Sequence, residues 1–274
     1  MQFAKYQGTG NDFVLVDGLE GLPALDWAGV AARLCDRHYG VGADGLILVL
    51  PGEAAPFRMR IFNTDGSEPE MCGNGLRCFV RYLADRGLAP EGPFDVETGA
   101  GVLKPEVLSD GRVRVDMGPP VLERQHIPMG GPRTAQVIEE PIEAAGQRFG
   151  VTAVSMGNPH AVIFVPDVAA VPLSEWGPAL ETHPVFPAKA NVEFCQVVSP
   201  NEAIMRVWER GAGPTLACGT GACATLVAGV LTERLDHEAT IRLPGGPLEI
   251  EWAADNHVFM TGPAEAVFTG EVEV

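Results

Sequence analysis

Positive charge is scarce in this chain. Its 274 residues include 19 Lys and Arg against 36 Asp and Glu, which gives a formal net charge of −17 at pH 7. A field of this sign repels phosphate backbones and anionic bilayers, so the composition argues against nucleic-acid and membrane-surface partners. A small anionic substrate is still allowed, because a local pocket can oppose the overall field.

Motifs for common cofactors and metals are also missing. Pyridoxal phosphate needs a lysine for its Schiff base, and Lys5, Lys104 and Lys189, the chain's lysines, do not lie in a phosphate-cradling setting. The sequence has no GxGxxG segment and no P-loop. It also has no Cys-x-x-Cys pair and no His-x-x-x-His spacing. We therefore expect a protein that works without a cofactor and without a metal.

No basic-then-apolar export signal opens the sequence, which favours a cytoplasmic, reducing setting and free thiols. Of the six cysteines, we expect Cys35, Cys78, Cys195 and Cys223 to be small core residues. Residues 211–232 carry no charge, but glycines and a proline interrupt their first half. This pattern favours a buried helix over a membrane span.

An internal repeat is the most informative feature that is present. The segment around Cys72 recurs around Cys218, 146 positions later, and an arginine, an aromatic residue, the cysteine and two glycines keep their spacing. Two further pairs of segments match at offsets of 144 to 147: residues 10–17 with 157–165, and residues 113–119 with 258–263. A register held over separate sites predicts two duplicated halves.

The repeat also predicts the architecture. Each half alternates short apolar strands with few helices, and the two clearest helices follow the repeated cysteines, over residues 74–86 and 220–235. We expect Asn74 and Thr220 to be their N-caps. The second helix is apolar nearly all round, so a sheet must wrap it. The predicted fold class is α/β (α+β): two pseudo-symmetric domains, each a curved mixed or antiparallel sheet around a central helix.

The predicted domain boundaries follow the two Gly-Pro stops that end the matching strands. The first domain comprises residues 1–118 and the second residues 119–263. Residues 266–274 read as a strand without a counterpart in the second half. By symmetry, we expect the C-terminal segment 264–274 to return to the first domain.

The repeated cysteine turns predict acid–base chemistry by two thiols. A cysteine just before a helix meets free backbone N–H groups and the positive end of the helix dipole, which lower a thiol pKa and bind anions. We expect the N–H groups of Gly73, Asn74, Gly219 and Thr220 to hold a carboxylate. One thiolate would then remove an α-proton while the other thiol protonates the opposite face, and this inverts a stereocentre. A disulfide-forming redox switch would use the same two residues.

Five segments resemble the signatures of the diaminopimelate epimerase family. They are residues 8–13 (Gly-Thr-Gly-Asn-Asp-Phe), 63–77, which contain Cys72, 157–160 (Gly-Asn-Pro-His), 191–194 (Asn-Val-Glu-Phe) and 209–222, which contain Cys218. The match spans nearly the whole chain, in order. It implies a cofactor-independent isomerase that interconverts LL- and meso-2,6-diaminopimelate in lysine and peptidoglycan biosynthesis, often as a homodimer, with diaminopimelate as its small-molecule partner.

The resemblance also implies residue roles. Cys72 and Cys218 would be the acid–base pair, supported by His160 and Glu209. Arg210 could offer a bidentate fork to a carboxylate, and Glu209 an acceptor to an ammonium group. The remaining substrate contacts implied are Asn11, Asn63, Asn158 and Asn191, with Gly73-Asn74 and Gly219-Thr220 as the carboxylate cradle. Gly45 is a departure, because some family members carry a substrate-contacting glutamine there.

Two alternatives use the same cysteines. A proline racemase or hydroxyproline epimerase would also need two thiols, but its substrate has one amine and one carboxylate, so this array of polar residues would be excessive. A non-catalytic thiol redox sensor is the alternative of a different class.

Overall fold

The computed structural model describes residues 1–273 of the chain. It divides into two compact units: Met1–Asp116 together with the chain from Thr261 onward, and Met117–Met260. The helices and strands are, in chain order, β1 (Gln2–Gly8), β2 (Asn11–Asp17), α1 (Trp27–Leu34), β3 (Gly45–Pro51), β4 (Phe57–Asn63), α2 (Gly73–Asp85), β5 (Val96–Thr98), β6 (Gly101–Leu103), β7 (Glu106–Val107), β8 (Val113–Asp116), a 3₁₀ turn (Arg124–His126), β9 (Val137–Ala144), β10 (Gln147–Ser155), β11 (Pro159–Phe164), α3 (Leu173–Glu181), β12 (Asn191–Ser199), β13 (Glu202–Glu209), β14 (Gly213–Pro214), α4 (Gly219–Leu231), β15 (Glu238–Leu243), β16 (Gly246–Trp252), β17 (Val258–Gly262) and β18 (Glu265–Glu271).

The first unit is a mixed sheet in the order β18-β1-β2-β3-β4-β5-β6. The helix α2 packs against β1 to β4 on one side and against the β7–β8 hairpin. Its apolar face, with Leu76, Phe79, Val80 and Leu83, is fully buried. Because strands surround this helix, its first turn is held rigidly, and Cys72 immediately precedes that turn.

The second unit repeats this plan. Its sheet runs β17-β16-β15-β13-β12-β11-β10-β9, and α4 packs against β10 to β13 and β15–β16. Each unit contains two parallel strands joined by a helix: β2-α1-β3 in the first unit and β11-α3-β12 in the second. The later strand of each pair also pairs antiparallel with the strand that follows it, β3 with β4 and β12 with β13. A loop then carries the cysteine into α2 or α4. The predicted fold class of two pseudo-symmetric mixed α/β domains is confirmed.

The C-terminal strand belongs to the first unit. β18 pairs antiparallel with β1, from Gln2 opposite Glu271 to Gln7 opposite Glu265. Phe268 also packs edge-on against Phe3, with ring centroids 5.8 Å apart. Val274, the last residue of the predicted strand, lies outside the described residues.

Both predicted N-caps were wrong by two positions, and each helix begins one residue earlier than predicted. The N-caps are Cys72 and Cys218 themselves, each with extended backbone, rather than Asn74 and Thr220. The predicted end of the second helix was also wrong, since α4 stops at Leu231. Glu233 takes a φ of +57°, and the Arg234 N–H bonds back to the Gly229 carbonyl at 2.8 Å. This is a Schellman-type reversal, which ends the helix before the predicted end at Leu235.

Among residues 1–273, no helix is both long and apolar enough to cross a membrane. The uncharged segment 211–232 instead contributes the core helix α4. Leu226 and Val227 of this helix are fully buried within the second unit's main hydrophobic cluster.

Candidate active site

Cys72 caps α2 with its own sulfur. Its Sγ accepts a hydrogen bond from the Gly75 N–H at 3.5 Å, and the thiol donates to Oδ1 of Asn11 over 3.9 Å. The carbonyl of Cys72 accepts the first helical bond, from Leu76 N–H at 2.8 Å. A sulfur at an N-cap lies next to unsatisfied helix N–H groups, which favour a negative charge.

A chain of hydrogen bonds orients the groups around Cys72. Asn74 donates from Nδ2 to Asn11 Oδ1 at 3.2 Å, and Arg77 donates to Asn74 Oδ1 at 2.9 Å. Arg77 is fully buried and also donates to Thr9 Oγ1 at 3.1 Å. Asn11 in turn donates to Asp44 Oδ2 at 2.8 Å. These bonds hold the Asn11 oxygen toward the Cys72 thiol.

Asn63 lies at the end of β4 and is exposed. Its Nδ2 donates to the Ser67 hydroxyl at 2.9 Å, so its side-chain contact lies within its own turn. It pairs with Gly45 across β3 and β4. A Cβ at position 45 would lie 2.8 Å from the Phe62 carbonyl oxygen, so the backbone here leaves no room for the glutamine of some family members.

The second unit contains the matching turn. Cys218 caps α4 and is 5% exposed, and its Sγ lies 3.6 Å from the Thr220 hydroxyl. Among the described residues, the sulfur makes no cap hydrogen bond to the helix, unlike that of Cys72. The N–H groups of Gly219 and Thr220 point out of the first helical turn, as those of Gly73 and Asn74 do in the first unit.

The expected lowering of the thiol pKa is wrong for Cys218. Burial raises its pKa well above the usual thiol value, and the carboxylates of Glu209 and Glu193 raise it further. The nearby Thr220 hydroxyl and Gly221 N–H lower the pKa but do not compensate. The prediction counted the helix dipole but could not see the desolvation, which here is the largest effect.

Glu209 lies beside this thiol at the end of β13. Its carboxyl accepts from the Thr215 hydroxyl, and its charge raises the pKa of the neighbouring Cys218 thiol. Burial is the main reason that the pKa of Glu209 is raised. A carboxyl group of raised pKa beside a thiol is a candidate to exchange a proton with it.

His160 is completely buried between two polar partners. Its Nδ1 lies 2.7 Å from Glu193 Oε1, and its Nε2 lies 2.8 Å from Asn158 Oδ1. Asn158 also donates from Nδ2 to the Thr220 hydroxyl at 3.3 Å. The structure thus links three predicted site residues, His160, Asn158 and Thr220, behind Cys218.

Sequence reasoning missed Glu193. This residue is fully buried in β12, although it lies inside the segment Asn-Val-Glu-Phe that carried part of the family resemblance. A glutamate among apolar strand residues, two positions after a predicted site asparagine, was the signal available. Glu181 was missed too; its carboxylate holds Trp208 and the backbone N–H of Gly211.

Asn191, at the start of β12, bonds to the turn that begins with Arg210 after β13. Asn191 Oδ1 accepts from the Arg210 backbone N–H at 2.8 Å, and its Nδ2 donates to the Pro159 carbonyl at 3.0 Å. The Arg210 side chain is exposed and donates to the Ala188 carbonyl at 3.2 Å. Within the described part of the chain, no group of three or more His, Cys, Asp or Glu side chains is arranged to hold a metal ion.

The family model for diaminopimelate epimerase matches residues 3–123 and 152–267. The chain belongs to the diaminopimelate epimerase family. It is 56% identical to the diaminopimelate epimerase of Moorella thermoacetica over 276 residues, which cover 99% of each chain. It is 55% identical to that of Synechococcus elongatus over 277 residues, covering 100% of this chain and 99% of the relative.

Solved structures share the fold at much lower identity. A phenazine biosynthesis protein from Enterococcus faecalis superposes with a TM-score of 0.75 at 14% identity, covering 100% of this chain and 99% of that one. A probable proline racemase from Agrobacterium radiobacter gives 0.71 at 18% identity, covering 100% and 93%. The family is one of isomerases, and the fold alone extends to these more distant proteins.

Proposed function

We propose that this protein is a diaminopimelate epimerase that interconverts the LL and meso isomers of 2,6-diaminopimelate without a cofactor. The observation that carries the proposal is the equivalence of Cys72 and Cys218, each the N-cap of the helix that follows the repeated strand pair. Lysine and peptidoglycan biosynthesis, a cytoplasmic location and a homodimer are part of the same proposal.

The reaction uses two bases. The thiolate of Cys218 removes the α-proton, and the electron pair of the broken C–H bond delocalises onto the adjacent carboxylate. The thiol of Cys72 then gives its proton to the opposite face of the same carbon, which leaves Cys72 as the thiolate and Cys218 as the thiol. The reverse reaction exchanges these roles, so no other reactant is needed.

The backbone N–H groups of Gly73, Asn74, Gly219 and Thr220 bind the carboxylate at the reacting carbon. They stabilise the negative charge that develops as the proton leaves. Helix N-terminal N–H groups suit this task because they point in one direction and are not used within the helix.

Glu209 is the group that adjusts the protonation of Cys218. Burial raises its pKa, which makes its carboxylate a stronger base toward the neighbouring Cys218 thiol. Asn11, next to Cys72, and Asn158, behind Cys218, take part in orienting substrate. The side chains of Asn63 and Arg210 contact the distal end of the substrate, which carries the second carboxylate and ammonium group.

We propose that residues 1–118 together with residues 264–274 form one domain of the enzyme, and that residues 119–263 form the other. The division at Gly118-Pro119 places each cysteine turn in its own domain.

Exchange of the α-proton into deuterated water tests the proposed function. Incubating the purified protein with LL-diaminopimelate in D₂O should introduce deuterium at the α-carbon and produce the meso isomer, followed by NMR and chiral chromatography. Proline is the matched control substrate. Exchange into proline with none into diaminopimelate would favour a racemase, and no exchange into either would leave a thiol sensor as the better account.

A further inference from the structure

A buried carboxylate lies behind Cys218, and the proposed reaction gives it no role. Glu193 has no exposed surface. Its Oε1 contacts His160, while its Oε2 has no hydrogen-bond partner among residues 1–273. Burying a carboxylate is unfavourable unless a proton or a counter-charge compensates it, so the His160 contact must supply one.

The direction of the hydrogen bonds around His160 can be assigned. Asn158 turns its Nδ2 toward the Thr220 hydroxyl, and its Oδ1 therefore faces His160 Nε2 at 2.8 Å. A carbonyl oxygen only accepts, so Nε2 must carry a proton. The 2.7 Å contact between Nδ1 and Glu193 Oε1 also requires a proton between its two atoms.

Glu193 also lies close to the first turn of α4. A Cβ added to Gly221 would lie 2.8 Å from Glu193 Oε1 and 3.2 Å from Cys218 Sγ. The carboxylate and the sulfur therefore approach the same glycine in the first turn of α4. Negative charge is favoured at that end of a helix, which supports a carboxylate paired with a protonated ring.

The chain of contacts continues to the thiol. The Thr220 oxygen accepts from Asn158, so its single O–H is available for Cys218 Sγ, 3.6 Å away. A hydroxyl donating to sulfur stabilises the thiolate over the thiol. The contacts form one continuous series through Glu193, His160, Asn158, Thr220 and Cys218.

We propose that Glu193 is a positioning residue for proton transfer at Cys218. It holds His160 with both ring nitrogens protonated, and the ring in turn orients the Asn158 amide and directs the Thr220 hydroxyl to the sulfur. This inference rests on the proposed function, which gives Cys218 the proton transfer.

Nuclear magnetic resonance of the imidazole tests the placement of the protons without any assay of activity. Protein labelled with ¹⁵N-histidine should show, for His160, a proton on Nε2 and a strongly downfield proton in the bond to Glu193; His160→Gln assigns the signals. Glu193→Gln is nearly isosteric but uncharged, and it should lose the downfield proton. An unprotonated Nε2 in the parent protein would overturn the proposal, even if the variant does not fold.

Steady-state kinetics distinguish a positioning role of Glu193 from a purely structural one. Glu193→Gln should lower kcat for epimerisation by at least about tenfold, as expected when a histidine loses the group that orients it. Its KM should change by less than about threefold, because Glu193 does not touch substrate. Glu202→Gln, which removes a partly exposed carboxylate from the neighbouring strand β13, is the control and should behave like the parent.

The two proposals fail in different ways. A parent protein that exchanges no α-proton of diaminopimelate would defeat the proposed function, and the resonance experiment would then decide the role of Glu193 alone. A fully active parent together with a Glu193→Gln variant of unchanged kcat and unchanged ring signals would overturn the present inference and leave the epimerase intact.

Discussion

Asn191 Oδ1 accepts a hydrogen bond from the backbone N–H of Arg210 at 2.8 Å, while Asn191 Nδ2 donates to the Pro159 carbonyl. Both polar atoms of this amide are therefore occupied by backbone groups. Asn191 ties the turn after β13 to the start of β11, and this turn follows Glu209 directly. Its contribution to the site is to hold that turn in place.

Replacing Asn191 with alanine should destabilise the second unit. The substitution leaves a buried carbonyl and a backbone N–H without partners, at a cost of about 1–3 kcal/mol for each such group. Urea unfolding measures the loss. Asn191→Asp keeps the acceptor for Arg210 but places a buried carboxylate against the Pro159 carbonyl, so it should be no more stable than the alanine variant. An alanine variant as stable as the parent would contradict this role.

Removing either reactive thiol should abolish epimerisation. Cys72→Ala and Cys218→Ala should each lower the turnover of diaminopimelate by roughly 10²–10⁴-fold, the usual contribution of a positioned acid or base. Chiral chromatography of the product measures the loss. Cys35→Ala, a buried thiol of the first unit's core, is the control and should keep its turnover. Near-parental activity in either single variant would refute the two-base mechanism.

Alkaline pH should destabilise the protein through its buried thiols. Burial raises the pKa of Cys35 to about 12 and that of Cys78 to about 12, whereas an unfolded thiol titrates near about 8.5. The unfolded chain therefore loses these protons first. Their stabilisation is complete below about pH 8.5 and is lost as the pH rises toward 12, with a slope of about 1.4 kcal/mol per pH unit for each thiol.

Urea unfolding at a series of pH values from 7 to 10 checks this slope. Cys35→Ala should be less stable at neutral pH because it opens a small cavity. Its free energy of unfolding should nevertheless fall less steeply with rising pH than that of the parent, by the contribution of one titrating thiol. Parallel curves for the two proteins would show that Cys35 does not titrate in this way.

The two helical glycines next to the cysteines should differ in their tolerance of alanine. A methyl group at Gly221 would meet Glu193 Oε1 at 2.8 Å, whereas one at Gly75 would meet the Ile61 Cδ1 at 3.0 Å. An isoleucine methyl can move aside, but the Glu193 carboxylate is held by His160. Gly221→Ala should therefore lower kcat much more than Gly75→Ala, as measured by α-proton exchange. Equal losses would indicate that the carboxylate can move freely.

Deleting residues 265–274 should destabilise the first unit. Without β18, the backbone groups of β1 that pair with it lose their partners, and Phe3 loses the ring of Phe268. Hydrogen exchange measured by mass spectrometry should show faster exchange in residues 2–7. Unchanged protection of this segment would show that β1 does not depend on the C-terminal strand.

The part of the site that lies in local sequence could be predicted. Cys72 and Cys218 were found because a repeat of cysteine and glycines is visible without a structure, and α2 was placed within one residue because its apolar spacing is local. The end of α4 was missed because no glycine or proline follows Leu231 directly, and Glu233, Arg234 and Leu235 are residues that a helix accepts. The reversal at Glu233 depends on Leu235 packing back against Gly229, which spacing does not encode.

The sequence by itself determined the two-domain α/β plan, the repeated cysteine turns and the family, since each of these follows from periodicity, spacing and residue identity along the chain. Only the tertiary structure decided that Cys218 is buried with a raised pKa and that Glu193 pairs with His160. The reason is physical: desolvation and charge pairing depend on which distant segments pack around a group. β11, β12, β13 and α4 meet there only after the chain has folded.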